Sequence, residues 1–328
     1  MTAVMPEERR IPSIPRVVTR GPAARKPGEE SASSAAKDVQ FFSNSPLHRQ
    51  LRYQYLPDYD PNESDEQIED KLNERFLIMN ELTDDAIDGR CRGFIASGPG
   101  GVGKTYNIDK KLEERLGEDE YTSYSGYSTP IGLLKMLWNN REGLIKADDI
   151  DSIFKDEKAL NYLKVACDTT ARRVITYASE NTLFDENLEP IPKRFEFDGT
   201  MIFCTNLDFD YLIDKGSSLT PHLEAFITRS HYIDLAMRTK RDYLVRVYQV
   251  AEQGLFDNVL GKSGEPHGLD KNQTDEVLDF IESYHRNLRE CSLRMALKIG
   301  SLRKGFDPEN DTVDWKRKAL LTCCKGVR

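Results

Sequence analysis

Residues 98–105 read GPGGVGKT: glycine, four free positions, glycine, lysine, then threonine. No other stretch limits so sharply what the chain can fold into. Gly98, Gly100, Gly101 and Gly103 let the backbone take conformations closed to residues with side chains, so that successive N–H groups can turn inward on one anion. An apolar run at 93–96 precedes the loop and a helical pattern at 104–116 follows it, which is the strand, loop and helix setting such a loop needs. The helix start adds unpaired N–H donors and the positive end of its dipole. Lys104 then supplies a mobile charge for the outer phosphates of a nucleotide, and the Thr105 hydroxyl a ligand for the Mg²⁺ that bridges them. The candidate nucleotide-binding residues are Gly98, Pro99, Gly100, Gly101, Val102, Gly103, Lys104, Thr105 and Tyr106.

Around the loop, strand and helix patterns alternate. An amphipathic helix begins near Glu66, with Ile68, Leu72, Phe76, Leu77, Met79 and Leu82 at helical spacing. Strands are expected at 121–127, 144–147, 173–177, 199–204 and 231–235, with 195–198 pairing back on 173–177 across a polar loop. Helices are expected at 131–138, 156–169 and 219–227, and the alternation predicts a parallel sheet covered on both faces. Beyond Thr239 only helical patterns follow, at 240–253, 274–286, 292–303 and 311–321; Ser292 is a natural N-cap that places Arg294 in the first turn. The expected fold class is therefore α/β: a P-loop NTPase three-layer α/β/α parallel sheet at 65–237, an all-helical lid at 238–305, and a C-terminal helix and tail at 306–328. Residues 1–64 form an N-terminal tail, disordered or extended, whose first part is rich in proline and small residues and cannot offset its ordering entropy by burial. Its aromatics at 41–61 are candidates to dock on the folded body or on a neighbouring subunit.

The strand at 144–147 empties into Asp148 and Asp149, where a carboxylate shell for Mg²⁺ is expected. Asp148 would hold the metal through water, and Asp149 would orient and deprotonate the attacking water. Lys146 is out of place there, because a central parallel strand is apolar on both faces. Either it snorkels past the sheet edge, or the strand is offset. Asn206 follows the strand at 199–204, at a crevice position of an open sheet or simply as a turn former.

Of the 328 residues, 38% are hydrophobic and 31% charged, and no apolar run approaches the ~20 residues of a membrane span. The N-terminus lacks the apolar core of a secretory signal, so a cytoplasmic protein with no membrane partner is expected. Six cysteines are scattered without paired metal spacing, Cys323 and Cys324 being adjacent, and no zinc site is proposed. The net charge of −9 argues against coating nucleic acid through bulk electrostatics, while leaving room for a local basic groove. A guanine-reading Asn-Lys-x-Asp is missing, since Thr205-Asn206-Leu207-Asp208 lacks the lysine.

In their order these features resemble the AAA+ ATPase family, particularly the small single-module members carried by phages and other mobile elements. The resemblance covers residues 66–305 and rests on the loop at 98–105, Asp148-Asp149, Asn206, the Thr-Arg-Ser break at Arg229 and the Ser-Leu-Arg helix start at Arg294. It implies that Asn206 is sensor 1, Arg229 an arginine finger reaching a neighbour's nucleotide, with Arg172 as its rival, and Arg294 sensor 2 on the lid. Lys104, Asp149, Asn206, Arg229 and Arg294 are then the candidate catalytic residues, Thr105 and Asp148 the metal ligands, and ATP and Mg²⁺ the cofactors. A homo-oligomer, by analogy a hexameric ring, follows. Most of the family has Glu where this chain has Asp149, whose side chain is one methylene shorter, so slow hydrolysis is expected. The function this implies is an oligomeric motor or remodeller driven by ATP hydrolysis. DNA metabolism is preferred to protein remodelling, because the hairpin carrying Lys193 and Arg194 falls where related helicases and initiators face nucleic acid, although Asp185, Glu186 and Glu189 make its loop acidic. The alternative is a slowly hydrolysing ATP-dependent switch or scaffold that recruits a partner, which Asp149 and Lys146 favour.

Overall fold

The computed structural model describes residues 62–326 apart from 118, 236, 258 and 260–267. The expectations for the tail at 1–61 and for most of the link at 261–271 lie outside the described residues. Ser64 opens α1 (Asp65–Ile87) with a capping box: its hydroxyl accepts from the Gln67 N–H, and the Gln67 side chain accepts from the Ser64 N–H. Glu63, just before it, is buried against Lys71 at 2.9 Å.

The chain then runs through β1 (Gly93–Ser97), α2 (Lys104–Arg115), β2 (Tyr121–Ser125), α3 (Pro130–Asn139), β3 (Leu144–Asp148), a 3₁₀ turn at Asp151–Lys155 and α4 (Glu157–Ala166). After it come the short strands β4 (Val174–Thr176) and β5 (Arg194–Glu196), then β6 (Thr200–Thr205), α5 (Phe209–Lys215), α6 (Thr220–Ile227) and β7 (His231–Asp234). Five strands make one parallel sheet in the order β2-β3-β6-β1-β7, and β4 and β5 form a separate antiparallel pair with Ile175 opposite Phe195. Helix α5 was not foreseen. Its seven residues bury only Phe209, too little for an amphipathic period; the local signal is Asp208, which caps it by accepting from the Tyr211 N–H. The helix expected from 156 to 169 ends at Ala166, where Cys167 takes over as its C-cap.

Both faces of the sheet are buried, so its central strands are near-continuously apolar. Ile95, Ile145, Ala147, Met201 and Phe203 point to one face, under α3, α4 and α6. Phe94, Ala96, Ile202 and Cys204 point to the other, under α1 and α2. Phe154, Phe203, Phe209 and Phe226 meet edge to face or tilted at 5.0–5.7 Å, which ties α5 and α6 to the sheet.

Lys146 neither snorkels past an edge nor marks a shifted strand. β3 lies between β2 and β6, and Lys146 is buried on the α2 face, where its Nζ forms an ion pair with Asp109 of α2. A second carboxylate, Asp148, stands 4.0 Å away. The apolar rule for central strands is overridden by a charge on the covering helix, which a strand-by-strand reading has no means to see.

The lid consists of α7 (Lys240–Glu252), α8 (Lys271–Tyr284), α9 (Leu293–Lys304) and α10 (Trp315–Cys323). Capping boxes open α7 and α8, from Thr239 with Asp242 and from Asp270 with Gln273. Val247, Val277, Phe280, Ile281, Ile299, Trp315 and Ala319 share one core, so the C-terminal helix packs with the rest of the lid. α10 starts at Trp315 rather than at 311, because Asp307 and Asp311 hold the preceding residues in a turn. Cys323 and Cys324 are buried free thiols.

Asp109→Ala should leave Lys146 buried with its main counter-charge gone and lower stability by ~2 kcal/mol, less than the fully buried case because Asp109 reaches solvent. Asp109→Ala with Lys146→Met should recover most of that loss in urea unfolding.

Candidate nucleotide-binding site

Strand register places three loops at one level. Ser97 pairs beside Thr205, and Asp148 beside Cys204, so the glycine loop, the acid pair and Asn206 leave the sheet together at its carboxyl end. Backbone bonds extend this by one residue: Gly98 N donates to Thr205 O at 3.2 Å and Asp149 N to Cys204 O at 3.0 Å. Gly101 and Gly103 sit at φ 72° and 101°, the left-handed region that a side chain disfavours. Gly103 caps α2 without a side chain, leaving the first-turn N–H groups to an anion.

Lys104 is buried and donates to Gly98 O at 2.6 Å, Pro99 O at 2.8 Å and Asn206 Oδ1 at 3.1 Å. Burial draws its pKa down, while nearby acids including Asp149 and Asp148 oppose that shift. Asn206 in turn donates from Nδ2 to Asp149 Oδ1 at 2.9 Å. Asp149 is exposed and takes φ 52°, a conformation rare outside glycine but tolerated by Asp, and the kink aims its carboxylate at Asn206. Thr105 Oγ1 donates to Asp148 Oδ1 at 3.0 Å. Desolvation raises the Asp148 pKa; the Thr105 bond and Lys146 counter it. A hydroxyl and a carboxylate this close are the hard oxygen donors that suit Mg²⁺, whose remaining positions usually go to phosphate and water.

The lid rests on the loop. Leu293 N donates to Gly101 O at 2.8 Å, and Ser292 caps α9 by accepting from Met295 N. Arg294, next along, is exposed on the wall of a cavity of about 630 Å³, together with Lys104, Thr105, Asp149, Asn206 and Tyr106. Val102 is buried in the core with α1 and α2 and does not line this cavity. Arg229 does not line this cavity: it follows α6 and its C-cap Thr228, with Nε 3.0 Å from Asp168 and Nη1 donating to Ala225 O at 2.5 Å. Arg172 is exposed and paired with Glu196.

Sequence reasoning missed two features. Thr205 Oγ1 donates to Asp151 at 2.6 Å and accepts from Leu207 N at 3.1 Å, while Ser97 Oγ donates to Leu207 O at 2.6 Å, so the segment carrying Asn206 is pinned on both sides. Buried Arg246, in the middle of α7, lines the same cavity. Neither belongs to a contiguous motif.

No family model matches the chain. A protein of Enterobacteria phage T4, described as an uncharacterized 36.7 kDa protein in the nrdC-mobD intergenic region, is 38% identical over 241 residues, 72% of this chain and 71% of the phage protein. The chain belongs to that phage protein's family. Solved structures similar to this family member include NtrX from Brucella abortus in complex with ATP, at TM-score 0.42 and 12% identity over 86% of this chain and 61% of that one. The chain thus spans about three fifths of NtrX. Domain III of the replication initiation protein DnaA from Thermotoga maritima gives TM-score 0.40 at 12% identity, over 75% of this chain and 88% of its own. The RuvB Holliday junction branch migration motor from the same organism gives 0.40 at 13%, over 76% and 67%. The phage-family member has a P-loop α/β fold on its own strand order, with the glycine loop after β1, acids after β3, Asn206 after β6 and a helical unit over the cleft. No helix among the described residues is long and apolar enough to cross a membrane.

A Cβ on Gly101 would come 3.0 Å from Ser292 Cβ and Oγ and 3.3 Å from Glu290 Oε1, whereas one on Gly100 would meet only Asn206 Oδ1 at 3.7 Å. Gly101→Ala should therefore lower the melting temperature, with a left-handed penalty of ~1–2 kcal/mol, and Gly100→Ala should not.

Proposed function

We propose that this protein binds and hydrolyses ATP with Mg²⁺ and works as an oligomeric AAA+ motor or remodeller, with DNA metabolism as its setting. One observation carries the reading: Lys104, Asn206 and Asp149 form a continuous hydrogen-bonded chain beside the Thr105 and Asp148 pair. The residues that would receive a terminal phosphate, orient a water and hold a metal are thereby brought together.

Lys104 exchanges its loop carbonyls for the outer phosphates and offsets the charge that grows there during transfer. Asn206 fixes the Asp149 carboxylate, which orients the attacking water and accepts its proton. Thr105 and Asp148 would hold Mg²⁺, which would supply positive charge against the phosphates. Arg294 reaches the cleft from the lid and coordinates its closure. Arg229 lies outside its own chain's cleft, as a residue serving a neighbouring subunit's site would; an arginine so placed adds about 10³–10⁵ in rate. Hydrolysis then depends on assembly, and a hexameric ring is the proposed form. Nucleic acid is the proposed substrate over protein, through the exposed Lys193 and Arg194 of the hairpin.

The second reading, a slowly hydrolysing ATP-dependent switch or scaffold that recruits a partner, is favoured by the short Asp149 side chain and its tether to Asn206.

Single-turnover hydrolysis separates the two. Lys104→Ala should abolish nucleotide binding, and Asp149→Ala should keep binding but cut turnover at least tenfold; equal, slow turnover in wild type and Asp149→Ala would leave the switch. Stimulation of wild-type turnover by single-stranded or duplex DNA, and not by unfolded protein, is expected. Arg229→Ala should bind ATP normally and turn over poorly, and mixing it with Lys104→Ala subunits should restore part of the activity; no rescue would argue against a shared site.

A further inference from the structure

Arg246 is a buried cation without a counter-charge. Only 6% of it is exposed, and among the described residues no Asp or Glu pairs with it. Burial lowers its pKa to about 10, which leaves it charged at neutral pH. An uncompensated buried charge is costly, so a site that retains one usually meets its counter-ion at another stage.

The guanidinium is held from behind. It stacks on the Phe76 ring at 3.7 Å, and Nη1 donates to Gln249 Oε1. Gln249 is itself buried and donates from Nε2 to Asn73 Oδ1 at 2.6 Å, so α1 and α7 together fix the plane. Nε lies 3.5 Å from Val102 O. Nη2 has no hydrogen-bond partner among the described residues and stands 3.7 Å from where a Cβ on Gly103 would be, beside the loop that precedes Lys104. Arg246 lines the cleft there, with Val250 one helical turn further along α7.

We infer that Arg246 is a further phosphate-binding residue of the nucleotide site, its Nη2 donating to an inner phosphate oxygen of the bound nucleotide while the polyphosphate supplies the missing counter-charge. This rests on the reading that the cleft holds a nucleoside triphosphate. It adds to the loop, the acids and the lid arginine a residue from the first lid helix, and it couples nucleotide binding to the seam between α1 and α7. A pre-oriented fork suits phosphate, and charge-assisted bonds of this kind are the strong ones.

The test compares wild type, Arg246→Met, Arg246→Lys and Lys104→Ala in full-length protein, titrating ATP, ADP and adenosine and recording the ligand-free melting temperature. Arg246→Met keeps an unbranched apolar stem but removes the charge and the fork. It should weaken ATP and ADP about 10- to 100-fold, leave adenosine within twofold, and leave the ligand-free melting temperature unchanged or higher. Arg246→Lys keeps the charge without the fork and should weaken ATP at least threefold. Wild-type ATP affinity in either variant overturns the inference. So does an equal loss for adenosine and ATP, which would mean that Arg246 reads the base, or a fall in ligand-free melting temperature with no change in ATP affinity, which would make it structural support. If wild type and Lys104→Ala both fail to bind ATP, the functional reading itself falls; if wild type binds, Lys104→Ala does not, and Arg246→Met binds like wild type, only this inference falls.

Discussion

The cleft depends on one ammonium group bridging two loops. Lys104 Nζ closes the glycine turn by bonding Gly98 and Pro99 carbonyls and reaches across to Asn206 at the end of β6. A cation is needed there because the turn gathers carbonyls on one side and N–H groups on the other, and a buried ammonium is tolerated only when its donors are used. The three bonds use all the donors of the ammonium group. Parallel register does the rest by bringing β1, β3 and β6 to an end at one level.

Charge on α2 extends this arrangement below the cleft. Asp109 holds Lys146 inside the sheet, and Lys146 lies 4.0 Å from Asp148, whose other oxygen takes the Thr105 hydroxyl. Desolvation pushes the Asp148 pKa up; the Thr105 bond and Lys146 act against it, while Asp149 and Asp109 add to it. The lysine that looks misplaced in a central strand is therefore part of the electrostatic setting of the candidate metal ligand. Cys204, on the same face, has its thiol pushed up to about 12 by burial and stays a small apolar filler.

The lid touches the glycine loop through main chain as well as side chains. Leu293 donates to Gly101, Arg294 follows it on the cleft wall, and Arg246 faces Gly103 from α7. Both α7 and α9 line the cleft, and they share one core with α10.

Much was legible in the sequence because the relevant physics is local. The loop at 98–105 specifies its own turn through glycines, and its lysine and threonine follow in fixed positions. Apolar runs, and for β2 an alternation of aromatic and small polar residues, located the five sheet strands, and Ser292 announced α9. What failed was what depends on partners distant in sequence. Lys146 could be explained only with Asp109 on a covering helix, Asp151 only with Thr205, and Arg246 only once Phe76, Gln249 and Val102 surrounded it. By itself the sequence determined that a phosphate-gripping turn sits between a strand and a helix in an α/β sheet, since backbone freedom and hydrophobic period are written residue by residue. Only the tertiary structure decided which charges are buried, which are matched and which is left facing the cleft, because the energy of a charge is set by what folding brings around it.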